Sequence, residues 1–244
     1  MIGVRSAKAI LSIVLALCVI VPSAGVLAQD EGMDWTILIF WDGDNNLEPC
    51  TEFCMGIWQS AMTSDEHVSI VALVDLLSVE GTWIYEIQPN GYKEVASLGE
   101  QDMSDPAVLE EFLTFGLAEY PAEKTMLVMQ DHGFAWRGLC RDDTSGETIM
   151  TIDPLAQVLK DVRTANDGVG VDLLSMDACC MCTLEVVYEL RDAVPYFAAS
   201  QYVVPLDGLA YEALIDTLMD DPTISAERLS ILMVDQYMEY YSSK

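Results

Sequence analysis

Four short runs of consecutive apolar residues constrain this chain more than any other feature. They are "WTILIFW" (Trp35 to Trp41), "VSIVALVD" (Val68 to Asp75), "TMLVMQ" (Thr125 to Gln130) and "VDLLSM" (Val171 to Met176). Runs this short, without polar alternation and rich in β-branched residues, read as strands covered on both faces. Such strands need helices above and below them, and helical patterns lie between. Leu47, Cys50, Cys54, Ile57, Trp58 and Met62 recur at helical spacing, with Pro49 tolerated in the first turn. Pro106 opens a helix through Glu119 with Leu109, Phe112, Leu113 and Leu117 on one face, and "DPLAQVLKDVRTA" and "TLEVVYELRDA" supply two more. "TWIYEIQ" and "YKEVAS" flank "PNG" as a hairpin, and a polar loop is expected from Arg137 to about Thr148. A short strand from Tyr196 to Ser200 and helices around Tyr211 to Met219 and Ser225 to Tyr241 complete the pattern. This order predicts an α/β fold, a three-layer α/β/α sandwich on a mainly parallel sheet. No internal repeat and no linker rich in Pro, Gly or Ser divides it.

Residues 1–28 stand apart. "MIGVRSAK" carries Arg5 and Lys8, an apolar stretch containing Cys18 follows, and "VLA" ends at Ala28. Charged start, apolar middle and small residues at the end read as a secretory signal peptide cleaved before Gln29, with residues 29–244 as an exported domain. The alternative is an uncleaved membrane anchor, because the apolar stretch is only slightly short of a bilayer span. The net charge is −29, and cleavage would remove two of the eleven Lys and Arg residues. That charge repels phosphate backbones and attracts cationic peptides, so it argues against a nucleic-acid partner. It is also what a well-solvated surface carries. Six cysteines remain after cleavage, an even number that permits disulfides in an exported chain. With a hydrophobic fraction of 52%, the core does not depend on them.

Chemistry concentrates at two strand ends. His67, in the polar "SDEHVS", reads as a surface residue. His132, in "DHG", directly follows the third apolar run, and Gly133 allows close backbone approach there. "DACCMC" (Asp177 to Cys182) directly follows the fourth. Ligands gather at the carboxyl ends of parallel strands, so the two sequences are expected to meet. Cys179 is expected at a helix N-terminus, where unpaired N–H groups favour the thiolate. It lies 47 positions after His132, near the interval of about 50 between histidine and cysteine in caspases. Cys180 and Cys182 read as small core residues. A metal site of these cysteines with His132 is disfavoured, because adjacent cysteines point in different directions. No G-x-S-x-G, P-loop or dinucleotide fingerprint occurs. "DGDNN" resembles half of a calcium loop, but its glycine and glutamate miss the EF-hand positions, so it reads as an Asx-rich turn. No cofactor is required, and calcium has no clear motif.

The blocks "WTILIFWDGDNNLE", "YPAEKTMLVMQDHGFAW", "LLSMDACCMCTLEVVYELRD" and "FAASQYVVPLDGLAYEALIDTL" resemble, in order and spacing, the clostripain family of cysteine peptidases. That family is related to caspases, gingipains and legumain. The resemblance implies a caspase-like sandwich and a Cys–His dyad, with His132 as general base and Cys179 as nucleophile. The N–H groups of Gly133 and Cys179 would form the oxyanion hole. Asp177, and with it Asp207, would face the pocket that accepts Arg or Lys at P1. The implied protein is an exported endopeptidase whose partners are peptides or proteins, with no membrane contact unless the N-terminal segment is retained. Arg137 and Arg141 are candidate processing sites, or simply part of an exposed loop. Three departures stand out: "FAW" after "DHG", the cysteines at 180 and 182, and an end at Lys244 where the family core has a further strand. The last implies a core shortened at its C-terminal side. It carries the alternative of a catalytically inactive module that binds peptides or partners.

Overall fold

The four apolar runs lie side by side as parallel strands. The computed structural model describes residues 32–64, 66–89 and 91–242, so the expected signal or anchor segment lies outside the described residues. Strand β1 (Met33–Gly43) sits centrally, with β2 (Val68–Leu76) on one side and β5 (Ala122–Gln130) on the other. Beyond β5 come β8 (Leu173–Asp177) and β9 (Tyr196–Ala199), also parallel. The hairpin of β3 (Val79–Gln88) and β4 (Gly91–Gly99) extends the sheet antiparallel from β2, giving the order β4-β3-β2-β1-β5-β8-β9.

The central strands are continuous in hydrophobicity because alternate residues serve two cores. Leu38, Phe40, Leu127, Met129, Leu174 and Met176 are buried against α2 (Pro106–Glu119), α3 (Ile152–Ala165) and α4 (Leu184–Leu190). Trp35, Ile37, Ile39, Trp41, Met126 and Val128 are buried with α1 (Glu48–Ala61), α5 (Tyr211–Asp220) and α6 (Ala226–Ser242). These helices start where sequence chemistry tells them to. Asp105 caps α2 by accepting a 2.9 Å hydrogen bond from the Ala107 N–H, and Pro106 supplies the first helical residue. The three-layer sandwich is as expected. Among the described residues no helix is long and apolar enough to cross a membrane.

Two expectations change. The stretch read as a polar loop holds a small hairpin, β6 (Leu139–Asp142) and β7 (Thr148–Met150), separate from the main sheet. Leu139, Cys140 and Met150 are buried in the helix-side core, an apolar signal too short to stand out beside five charged neighbours between Arg137 and Glu147. Cys179 is not at a helix N-terminus. It sits in a turn after β8, and α4 begins only at Leu184, so the helix dipole is not what activates its thiol.

Candidate active site

Parallel strands bring their carboxyl ends to one edge of the sheet, and the register there is decisive. Gln130 of β5 pairs with Asp177 of β8, and the Asp131 N–H donates to the Asp177 carbonyl at 3.4 Å. His132 and Cys179 therefore each stand two residues beyond the same paired rung. The chains stay in contact past it. A Cβ placed on Gly133 would lie 2.2 Å from the Cys179 carbonyl oxygen and 2.8 Å from its nitrogen. Only glycine lets the two backbones touch there. His132, Asp177, Ala178 and Cys179 line one cleft with Leu47, Cys50, Val204 and Gly208.

His132 is half-buried, and its Nε2 lies 2.9 Å from Asn46 Oδ1. A carboxamide oxygen can only accept, so Nε2 carries the hydrogen and Nδ1 keeps its lone pair. Burial holds the imidazole pKa below its ordinary value, Arg141 adds to this and Asp143 opposes it. The ring is thus neutral near pH 7 and able to take a proton. Cys179 is half-buried, with Sγ 4.0 Å from the Val204 carbonyl oxygen. The cysteines at 50, 54, 140, 179, 180 and 182 are free thiols.

Asp177 is only 5% exposed. Its Oδ2 accepts a 2.5 Å hydrogen bond from the Tyr211 hydroxyl, and the Leu209 N–H also donates to the carboxyl. Burial nevertheless raises its pKa to about 6. Gly208, in the left-handed region at φ +68°, makes this approach possible, since a Cβ there would lie 2.4 Å from Asp177 Oδ2. Asp207 is half-buried and sits between the lining residues Leu206 and Gly208 without lining the cleft itself. Its charge, after burial and Asp177, helps raise the Cys50 thiol, which places its field on the same region.

Cys180 and Cys182 are not the core residues expected. Both are half-exposed, while Met181 between them is fully buried. Their N–H groups donate to the Tyr202 and Ser200 carbonyls, each at 2.9 Å, so this segment anchors the loop that walls the cleft. Arg141 belongs to β6, with its guanidinium 2.9 Å from Asp143 and 3.4 Å from Glu147. Its N–H also donates to Asp131, so this bond is held within the hairpin and is not a free loop.

Sequence reasoning missed Asn45, Asn46, Tyr211 and Gly208. Asn45 holds Asp131 at 2.7 Å and the Arg141 carbonyl at 2.8 Å through Nδ2, next to Asn46 on His132. The signal was the "NN" at the end of a buried strand. It is an Asx turn, with Asn45 Oδ1 accepting from the Leu47 N–H, and at the same time the scaffold of the histidine.

Residues 39–244 match the model of the clostripain family. The chain belongs to that family. It is 26% identical to clostripain of Hathewaya histolytica over 266 aligned positions, covering 85% of this chain and 50% of the relative. Among solved structures it is similar to a secreted C11 cysteine protease of Bacteroides thetaiotaomicron bound to an irreversible peptide inhibitor. There the TM-score is 0.75 at 22% identity, over 86% of this chain and 59% of that one. An inactive zymogen C11 protease of Parabacteroides distasonis gives a TM-score of 0.66 at 21% identity, over 87% and 60%. The chain thus spans about half the length of the curated relative it matches, and at these identities the structural likenesses speak for the clostripain-family fold.

Proposed function

We propose that this chain is the catalytic part of an exported cysteine endopeptidase that cleaves peptide bonds after Arg or Lys. The observation that carries the reading is the contact of Gly133 with the Cys179 backbone, at the rim of a cleft that also contains His132 and the buried Asp177. Cys179 gives its thiol proton to neutral His132 and attacks the scissile carbonyl carbon. The carbonyl oxygen becomes an oxyanion facing the N–H groups of Gly133 and Cys179. His132 then protonates the departing amine, leaving a thioester that water hydrolyses with His132 again accepting the proton. Asp177 gives the P1 guanidinium or ammonium a carboxylate partner in a site already closed by Tyr211 and Gly208. Asp207 supports the same field. Export rests on the N-terminal pattern of residues 1–28 and on likeness to a relative described as secreted.

The test is hydrolysis of fluorogenic peptides with Arg, Lys or a neutral residue at P1 by the chain and by Cys179→Ala, Cys180→Ala and His132→Ala. Cleavage of basic P1 substrates that disappears in Cys179→Ala and His132→Ala and persists in Cys180→Ala is expected. Activity that survives Cys179→Ala would overturn the nucleophile. Peptide binding without turnover in every variant, including a chain extended at its C-terminus, would make this a binding module.

A further inference from the structure

A second group of carboxylates lies at the same edge of the sheet, away from the cleft, and the cleavage chemistry does not use it. Asp44 follows β1, Asp75 is in β2 and Asp142 ends β6, and all three are buried, at 1%, 0% and 0% exposure. One carboxylate oxygen from each lies within 4.8 Å of the others. Buried charges of one sign are costly unless something of opposite sign joins them. Among the described residues no Lys or Arg forms an ion pair with any of them.

The hydrogen bonding is incomplete in a specific way. Asp142 accepts the Met103 N–H at 2.9 Å and the Ser145 N–H at 2.7 Å. Asp75 Oδ1 accepts the Leu76 N–H at 2.9 Å, and Asp44 Oδ2 accepts from Thr144. The other oxygens, Asp75 Oδ2 and Asp44 Oδ1, are buried with no partner. Thr82 stands directly across from Asp75 in the β2–β3 register, hence on the same face of the sheet, and its fully buried Oγ1 also has no partner. Unpaired buried oxygens of this kind ask for a ligand that supplies only positive charge.

We propose that Asp44, Asp75 and Asp142 hold a divalent cation of the calcium type, with the Thr82 hydroxyl close by. The donors are all hard oxygens, which excludes the softer transition metals as preferred occupants. Calcium, at about 2.4 Å from each oxygen, tolerates ligand separations up to about 4.8 Å; magnesium, at about 2.1 Å in a strict octahedron, does not. Three carboxylates and a dication leave one surplus negative charge, well below that of the bare cluster.

The position gives the ion a structural task. Asp44, Asn45 and Asn46 are consecutive: the first belongs to the cation site, the second holds Asp131 and the third holds His132. A cation that ties the turn after β1 to β2 and β6 therefore fixes the arm on which His132 is oriented. The cation site itself does not depend on the peptidase reading, because its occupancy is measured without any substrate.

The experiment is calcium binding to the full chain by equilibrium dialysis after chelator treatment, alongside thermal melts in calcium, in magnesium and in chelator. One saturable calcium per chain and a melting temperature raised by several degrees are expected. Asp75→Asn lowers the affinity at least ~tenfold, the loss expected for removing one charged ligand of three. In chelator the same variant melts above the native chain, because it removes repulsion that nothing then neutralises. Should Asp75→Asn not fold, Asp44→Asn carries the same two expectations, and exposed Glu110→Gln is the control that leaves binding unchanged. No saturable calcium binding, undiminished binding in both Asp variants, or magnesium bound more tightly than calcium would each overturn the proposal. The effect on cleavage is a separate readout: loss of hydrolysis with calcium binding intact would count against the peptidase reading alone.

Discussion

Two buried carboxylate sites stand at the ends of neighbouring parallel strands, and they are built in opposite ways. Asp177, at the end of β8, has a tyrosine hydroxyl and a backbone N–H donating to it, a glycine shaped around it and an opening to the cleft. Asp44, Asp75 and Asp142 face one another, with unpartnered oxygens and no cationic side chain paired to them. The first is a carboxylate prepared by the fold and left open for a substrate's positive charge. The second is prepared for a positive charge that must come from solution and remain. The same physics of burial thus marks one site for transient recognition and the other for permanent occupancy.

The largest expected effect would break the first site outright. Cys179→Ala is expected to lower kcat/KM by at least ~10³-fold, as measured with an Arg-P1 peptide, because nothing else in the cleft replaces the nucleophile. Gly133→Ala comes next. Its methyl would meet backbone atoms of Cys179, so the strand ends must separate, and a displacement of that size is expected to cost roughly 10²-fold in kcat. Asp177→Asn is expected to remove roughly 10-fold to 10²-fold of the preference for Arg over a neutral P1 residue, read as a ratio of kcat/KM values.

Acidity sharpens the comparison further. As the pH falls through about 6, Asp177 takes up a proton and the preference for basic P1 residues should fade. Stability moves the other way. The folded carboxyl ionises at about 6 against 3.8 for the free group, so the folded chain binds more protons across that window. The Asp177 contribution to stability is therefore greatest at acid pH and declines as the pH rises towards 6. Denaturant melts of the native chain and Asp177→Asn at a series of pH values would show it. The smallest effect is Tyr211→Phe, which removes one hydrogen bond to that carboxylate and should cost about 1–3 kcal/mol in the same melts.

Legibility in the sequence followed element length and periodicity. The long apolar runs and amphipathic helices appear where expected, because their patterns repeat over several residues. β6 and β7 did not, since four and three residues leave no period to read. Cys180 and Cys182 were misread because composition says that cysteine packs well, whereas local chain direction decides which neighbour points inward. Here that neighbour is Met181. Asn46 could be seen as a turn former, but not as the partner of a histidine 86 positions away.

The sequence by itself determined the layers, the parallel strands and the placement of "DHG" and "DAC" at strand ends, because these depend on local hydrophobic pattern and on what buried backbone requires. Tertiary structure alone decided the register of Gln130 with Asp177, the touching of Gly133 and Cys179, and the convergence of Asp44, Asp75 and Asp142. Such contacts join segments far apart in the chain, and no local propensity encodes a distance between them. "DGDNN" shows the division most clearly. Read alone it is a turn; once folded, its second aspartate meets two others and its second asparagine orients the histidine.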